Sequence, residues 1–149
     1  MKIMTQMTWN LEILVPGEAT GQPLILDEPL SLWGGLDPHT GEIIDRRHPQ
    51  SGKIVSDRVL ILPAGRGSSS ASSILLEAVR SDKAPVAIVT AEKDGILTLG
   101  AVVAQEIYKL GPTIGVLPNP GYDELCQAIG EQAKAMLQIS ENQLKLIAA

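Results

Sequence analysis

Glycines and serines directly follow an apolar run in the middle of the chain. Residues 58–63 (RVLILP) are almost entirely apolar, and residues 64–70 (AGRGSSS) pass from glycines to serines. The apolar run predicts a strand buried on both faces, and the serines predict the start of a helix. Unpaired backbone N–H groups at a helix start bind anions, helped by the positive end of the helix dipole. The stretch therefore suits a carboxylate or phosphate of a substrate, and the same field would stabilise a serine alkoxide.

Two familiar catalytic motifs do not describe this stretch. No Lys follows the glycines at the spacing of a P-loop, and the Gly-x-Ser-x-Gly pattern of a nucleophile elbow is absent. Both histidines, His39 and His48, lie upstream in turn-rich segments, so nothing supports a serine hydrolase triad. A purely structural interpretation also exists, in which the serines cap a helix and the glycines make a turn.

The elements around this stretch change character along the chain. The first half predicts short strands separated by Pro- and Gly-containing turns, and the second half alternates buried strands with helices. Such alternation indicates a right-handed parallel βαβαβ unit, here joined to an antiparallel or barrel-like β layer. The strands are predicted at 11–15, 24–26, 30–33, 42–45, 58–63, 85–90 and 113–117. The helices are predicted at 68–80 and 97–109, with a helical tail over 122–149 that includes a last short helix capped by residues 140–143.

Composition bounds the class of protein. The 149 residues are 44% hydrophobic and 19% charged, which is enough for one domain with a core. A net charge of −5 and only 3% aromatic residues argue against a nucleic-acid partner. One cysteine, Cys126, makes neither an internal disulfide nor a metal cluster. No apolar signal region and no membrane-length apolar run are present, so a cytoplasmic protein is expected.

Five short blocks occur in an order that resembles the small, swivelling-domain subunit of the aconitase X family. The resemblance extends over roughly residues 11 to 117 and leaves the predicted tail without a counterpart. The blocks are VPGEA at 15–19, DEPLS at 27–31 followed by WGGLDP at 33–38 and on to Gly41, DRRHP at 45–49, GRGSS at 65–69 and KAP at 83–85.

The resemblance implies a fold and an activity. The fold would be an α/β, swivelling β/α/β domain over residues 1–149, with its core at about 9–118. The activity would be that of a hydro-lyase acting on a small hydroxy acid such as cis-3-hydroxy-L-proline or mevalonate 5-phosphate. Ser68, the first serine after the glycines, would be the proton acceptor. The chain would hold no metal itself and would form a heterodimer with a large subunit carrying iron or an iron–sulfur cluster.

Elementary chemistry agrees with this division between two chains. Dehydration needs a base for a carbon-bound proton and a Lewis acid for the departing hydroxyl group. This chain offers a serine near N–H groups but, with a single cysteine and no histidine cluster, no set of cluster ligands. We therefore expect the base here and the metal in a partner.

Residues beside Ser68 are candidates for substrate binding, each with an alternative. Arg66 would clamp a carboxylate or phosphate, or is a solvated turn residue. Gly67 would offer its backbone, and Ser69 would be a further donor or a reserve base. Gly34 and Gly35 would let the backbone approach the substrate, or form a bulge or tight turn.

Four further features have open roles. His48 would line the substrate cleft together with Asp45, or both would order their loop by hydrogen bonds. The pair at 46–47 (Arg-Arg) suits solvated surface or a subunit contact. Cys126 is expected in the core. Trp33 would pack in the core or at a subunit interface.

Two other functions compete with a dehydratase subunit. The chain would be a non-catalytic ligand-binding or regulatory module, in which the helix start holds an anion without reaction. It would otherwise be a self-sufficient enzyme using Ser68 in acyl or phosphoryl transfer, for which no base partner is evident.

Overall fold

A computed structural model describes residues 5–67, 69–130 and 134–148 of the chain. Within these ranges it contains nine strands and four helices. The strands are β1 (Thr5–Asn10), β2 (Glu12–Val15), β3 (Ala19–Gly21), β4 (Pro23–Ile25), β5 (Val59–Leu62), β6 (Ala87–Thr90), β7 (Thr113–Val116), β8 (Met136–Ser140) and β9 (Gln143–Ala148). The helices are α1 (Leu32–Gly35), α2 (Ser70–Arg80), α3 (Gly95–Tyr108) and α4 (Gly121–Ile129).

The larger sheet has five strands in the order β2-β7-β6-β5-β4. Strands β4 to β7 are parallel to one another, and β2 joins the edge antiparallel to β7. The predicted parallel βαβαβ unit, β5-α2-β6-α3-β7, is thereby confirmed. Every residue of its three strands is buried and most are apolar, because the sheet is covered on both faces.

Alternate residues of the parallel strands enter two different cores. Leu60 and Ile88 pack with residues of α2 and α3, such as Leu75. Ile61 and Val89 pack instead with α4 and the second sheet. Successive side chains of each strand point to opposite faces of the sheet. One face therefore packs against α2 and α3, and the other against α4 and the second sheet.

The second sheet is antiparallel and built largely from the two ends of the chain. Its order is β1-β9-β8-β3, with β1 paired along its whole length to β9. The prediction of an antiparallel layer is confirmed, although the described strands do not close into a barrel.

The predicted helical tail is wrong beyond Ile129. After α4 the chain forms the hairpin β8–β9, with Leu137 opposite Leu146 and Ile139 opposite Leu144. The apolar residues of this segment alternate with polar ones at a period of two, which a helical reading of their spacing overlooked.

Residues 140–143, predicted to cap a last helix, form the tight turn of this hairpin. Ser140 pairs with Gln143, and Glu141 between them has a φ of 56°. A turn this tight needs a residue in the left-handed region, which short polar sequences accommodate.

Two predicted strands in the first half are also wrong. Residues 30–33 lead into α1, where Trp33 has a ψ of 115° and Gly34 a φ of 80°, so the backbone turns sharply. Residues 42–45 make only isolated bridges, from Leu36 to Ile43 and from Glu42 to Ile54. The apolar residues alternate here because these loops bury one side against the core, and the same alternation is typical of a strand. Among the described helices, none is long and apolar enough to cross a membrane.

Candidate functional site

The glycine-rich turn follows β5 at the carboxyl edge of the parallel sheet. Gly65 forms a parallel bridge with Leu30, and the Arg66 N–H donates to the Leu30 carbonyl oxygen at 3.2 Å. These contacts fix the turn against the segment that leads into α1. Ligands commonly bind at this edge of open α/β sheets, because successive loops converge there.

Asp94 meets the turn from the next strand of the sheet. It follows β6 and caps α3, with its Oδ1 accepting from the N–H groups of Ile96 at 3.0 Å and Leu97 at 2.9 Å. A β-carbon on Gly65 would overlap Oδ2 of the same carboxylate. Residue 65 is therefore glycine because the Asp94 carboxylate lies against its backbone.

Gly67 is held in a conformation that other residues avoid. Its φ is 101°, and a β-carbon there would lie 2.5 Å from Ser31 Oγ. The Ser31 hydroxyl donates to the Trp33 carbonyl oxygen at 3.2 Å. The turn thus packs against the segment that carries Gly34. Gly67 and Gly34, both predicted to bind substrate, therefore lie in neighbouring loops.

A small cavity of about 90 Å³ opens beside these residues. Its walls are mostly apolar, with Arg66 and Asp94 as its charged members. Sites that enclose a whole small ligand are typically about 300–1,000 Å³. At about 90 Å³ this cavity is well below that range. It is lined by Leu30, Leu32, Gly65, Arg66, Gly67, Ala71, Asp94, Ile96 and Leu97.

The predicted base, Ser68, lies outside the described residues, so its role stays a prediction. Its neighbours Gly67 and Ser69 are described and exposed. Ser69 is the N-cap residue of α2 by position, yet its side chain makes no capping hydrogen bond in the described structure. Its carbonyl oxygen accepts from the Ser72 hydroxyl at 2.8 Å, which stabilises the first turn of the helix.

The remaining glycine candidates differ in accessibility. Gly34 has a φ of 80° with open space where a side chain would be, so the conformation, and not crowding, requires glycine. Gly35 is buried, and a β-carbon there would meet Leu30 Cδ1 at 3.0 Å. Its carbonyl oxygen accepts from the Ile44 N–H at 2.8 Å. Gly34 is therefore open to a ligand, whereas Gly35 is engaged in the fold.

His48 lies away from the cavity wall and is buried. Its Nδ1 accepts from the Gln50 N–H at 3.0 Å, so its Nε2, 3.1 Å from the Glu28 carbonyl oxygen, carries the proton and donates. Asp45 Oδ1 accepts from the Arg47 N–H at 3.0 Å. These contacts favour the loop-ordering role among the two alternatives and leave His48 little capacity for a substrate.

Two other sequence expectations concern Cys126 and Trp33. Cys126 is partly buried and packs against the core that contains α4, in agreement with the packing role. Burial raises the pKa of its thiol, and burial likewise raises the pKa of the nearby Tyr122 hydroxyl. Trp33 is 62% exposed, which rules out a core role within this chain.

Sequence reasoning missed Asp94 and Ser31. Asp94-Gly95 directly precedes the apolar Ile96-Leu97 pair, which is the ordinary signal for an N-cap at the start of a helix. That signal predicts the cap but not the packing against Gly65, because the packing depends on two neighbouring strands. No sequence signal indicates that Ser31 contacts Gly67.

The described residues include no group of three or more His, Cys, Asp or Glu side chains placed to hold a metal ion. The donor set expected for iron or an iron–sulfur cluster is therefore not offered by the part of the chain seen here.

Comparison with known proteins places the chain in a family. The sequence model of the aconitase X swivel domain matches residues 8–146. The chain is 46% identical over 112 residues to a cis-3-hydroxy-L-proline dehydratase of Pseudomonas aeruginosa, covering 75% of this chain but 19% of that protein. It is 35% identical over 98 residues to the phosphomevalonate dehydratase small subunit of Methanothermobacter thermautotrophicus, covering 66% of this chain and 75% of that one.

A solved structure gives the same fold. The crystal structure of Thermococcus kodakaraensis aconitase X in its holo-form superposes with a TM-score of 0.76 at 22% identity, covering 93% of this chain and 97% of that chain. Together with the sequence match, this confirms the family predicted from the five blocks. The chain belongs to the aconitase X swivel-domain family.

Proposed function

We propose that this chain is the small subunit of an aconitase X-type hydro-lyase, in which Ser68 accepts a proton during dehydration of a small hydroxy acid. The observation that carries the proposal is the Gly65–Gly67 turn, which lines a small cavity at the carboxyl edge of the sheet. Family membership supports the reaction class, since relatives of both kinds carry the name dehydratase.

In the proposed reaction a serine acts as a base, although a serine hydroxyl in water is a weak base. The base must take the proton from carbon as the carbon–oxygen bond of the departing hydroxyl breaks, which leaves a double bond, and the departing hydroxide together with one proton makes up the water that is lost. Backbone N–H groups at the start of α2 and the guanidinium of Arg66 would stabilise the negative charge on the serine oxygen. The same groups would attract a substrate carboxylate or phosphate.

The substrate class follows from the relatives' names. Hydroxyproline bears a carboxylate, and phosphomevalonate bears a carboxylate and a phosphate. An anion-binding turn serves either compound. Both substrates therefore belong in the assay.

A large partner subunit is part of the proposal. The chain spans about a fifth of the length of the hydroxyproline dehydratases that it matches, and three quarters of a protein named as a small subunit. We place iron or an iron–sulfur cluster in that partner, because the described residues offer no ligand set.

The experiment is reconstitution with the large subunit that corresponds to the rest of the hydroxyproline dehydratase sequence. The purified pair should dehydrate one of the two substrates, whereas neither protein should do so alone. Ser68→Ala should lower kcat by orders of magnitude with assembly intact, and Ser73→Ala, at an exposed serine further along α2, is the matched control. The role of Ser68 would be refuted if Ser68→Ala retained full turnover. Full turnover with altered ligand affinity would instead indicate a non-catalytic ligand-binding role.

A further inference from the structure

Three large apolar side chains are exposed in the loop layer that follows β4. Trp33 is 62% exposed, Ile44 43% and Ile54 42%. Each is next in sequence to a buried apolar residue, and those three buried residues are at most 3% exposed. The loop layer therefore divides its apolar residues between an inner side, which joins the core, and an outer side. The buried neighbours are Leu32, Ile43 and Val55.

Backbone contacts link the segments that carry the three exposed residues. The Ile44 N–H donates to the Gly35 carbonyl oxygen at 2.8 Å, which links the Ile44 segment to the Trp33 turn. Glu42 and Ile54 form an antiparallel bridge, which links the third segment. Residues 42 and 44 point to the same side of extended backbone, so Ile44 and Ile54 share a face. We call Trp33, Ile44 and Ile54 the Trp33 surface.

The Trp33 surface borders the candidate site. The Trp33 carbonyl oxygen accepts from the Ser31 hydroxyl, against which Gly67 packs. The cavity at that turn, about 90 Å³, is too small to enclose a whole hydroxy acid. A partner that completes the site from the side of Ser31 would lie next to this surface.

We propose that the Trp33 surface is where the large subunit docks, with Trp33 as the anchor; the inference rests on the proposed function. The relatives indicate this occupant. The same domain occurs as about a fifth of a longer dehydratase and as three quarters of a separate small subunit. In the first arrangement the rest of the same chain, and in the second another subunit, has to lie next to the site.

Charged residues accompany the apolar residues of the surface. Arg46 and Arg47 are exposed directly after Ile44-Asp45, and Lys53 precedes Ile54. The carboxylates of Glu42, which pairs with Ile54, and of Asp45 lie among them, so charges of both signs accompany the apolar residues. An apolar centre with a charged rim is the usual anatomy of an interface, where Trp and Arg are enriched.

The test uses the full chain and the purified large subunit. The chain has two tryptophans, Trp9 at 8% exposure and Trp33 at 62%, so 5-fluorotryptophan labelling gives two distinguishable ¹⁹F resonances. Addition of unlabelled large subunit should shift the Trp33 resonance and abolish its solvent isotope shift, with the Trp9 resonance unchanged. Trp33→Phe assigns the signals.

Variants measure the contribution of the surface. Trp33→Ser should weaken binding of the large subunit by at least about 30-fold, as expected for a central aromatic anchor. Met7→Ser, at the same 43% exposure as Ile44 but on the antiparallel sheet, should change binding less than about 2-fold and is the matched control. Turnover of Trp33→Ser should return to the wild-type value at saturating large subunit, since the variant affects docking and not chemistry.

The outcomes separate the two proposals. An active complex in which the Trp33 resonance stays at its free position would overturn the docking surface and leave the proposed function intact. A resonance that shifts with the concentration of this chain alone would assign the surface to a second copy. Failure of the two proteins to associate would overturn both proposals, whereas association that shifts the Trp33 resonance without dehydration of either substrate would overturn the proposed function alone.

Discussion

The carboxylate of Asp94 lies against the backbone of Gly65, in the place where a side chain of residue 65 would be. The two residues follow neighbouring parallel strands, β5 and β6, and the same carboxylate caps α3. One side chain therefore positions the glycine-rich turn and begins a helix. Any change that moves the carboxylate is expected to move the turn.

The first prediction concerns Gly65→Ala. The added β-carbon overlaps Asp94 Oδ2, so either the turn shifts or the cap of α3 is lost. Overpacking and loss of an N-cap each cost about 1–2 kcal/mol, so the free energy of unfolding should fall by roughly that amount. Urea unfolding followed by circular dichroism measures the change, and turnover of the reconstituted enzyme should fall with it.

A compensating change tests the cause. Asp94→Ser keeps a capping oxygen but is one atom shorter, so Gly65→Ala with Asp94→Ser should regain most of the lost stability. Equal loss in the single and double variants would show that the carboxylate is not the obstacle.

The second prediction concerns Gly67→Ala, in which the obstacle is different. Its φ of 101° is unfavourable for alanine whatever surrounds it, and Ser31 Oγ adds crowding. Ser31→Ala relieves only the crowding, so the Gly67→Ala/Ser31→Ala double variant should remain well below wild type in urea unfolding. Complete recovery in the double variant would mean that the turn has no conformational need for glycine.

Much of the parallel sheet was predictable, because the residue types of each strand indicate whether that strand is buried on one face or on both. Residues 59–62 are all buried and all apolar, which only a sheet covered on both faces requires. The glycine-rich turn was predictable for the same local reason, since glycines and serines lie between a strand and a helix.

The failures arise where local pattern and long-range packing disagree. The hairpin after α4 buries Leu137 and Ile139 because β1 and β3 pair with it from the other end of the chain. The Asp94–Gly65 contact likewise forms only when two strands pair, so the spacing of these residues along the sequence does not predict it. His48 was a candidate for substrate binding because of its residue type, and the hydrogen bonds of its ring, which favour a loop-ordering role, could not be read from its position in the sequence.

The third prediction distinguishes the two roles of His48. Its ring joins the Glu28 carbonyl oxygen to the Gln50 N–H inside the fold. His48→Ala leaves both groups without this partner, so unfolding should become easier by about 1–3 kcal/mol. KM of the folded, reconstituted enzyme should stay within about 2-fold of wild type. His48 does not line the cavity, so its substitution is not expected to alter contacts with a ligand there. A raised KM with unchanged stability would support the substrate-binding role instead.

The fourth prediction concerns alkaline pH. Burial raises the pKa of the Cys126 thiol and of the Tyr122 hydroxyl above their ordinary values. Between the unfolded and the folded pKa of each group, the unfolded chain binds fewer protons, so the free energy of unfolding falls as pH rises. The contribution of the thiol should be complete below about pH 8.5 and that of the hydroxyl below about pH 10, with loss above those values.

Variants that cannot ionise assign this loss of stability to its source. Cys126→Ser should flatten the dependence between about pH 8.5 and 10, and Tyr122→Phe should flatten it above that range. The Tyr122 hydroxyl is buried, and its polar neighbour is the Cys126 thiol, a weak hydrogen-bonding group, so Tyr122→Phe should also be close to neutral at pH 7. Urea midpoints at pH 7, 9 and about 10.5 provide the comparison. Parallel curves for wild type and both variants would show that alkaline unfolding begins elsewhere, because only a group with different pKa values in the two states contributes to the slope.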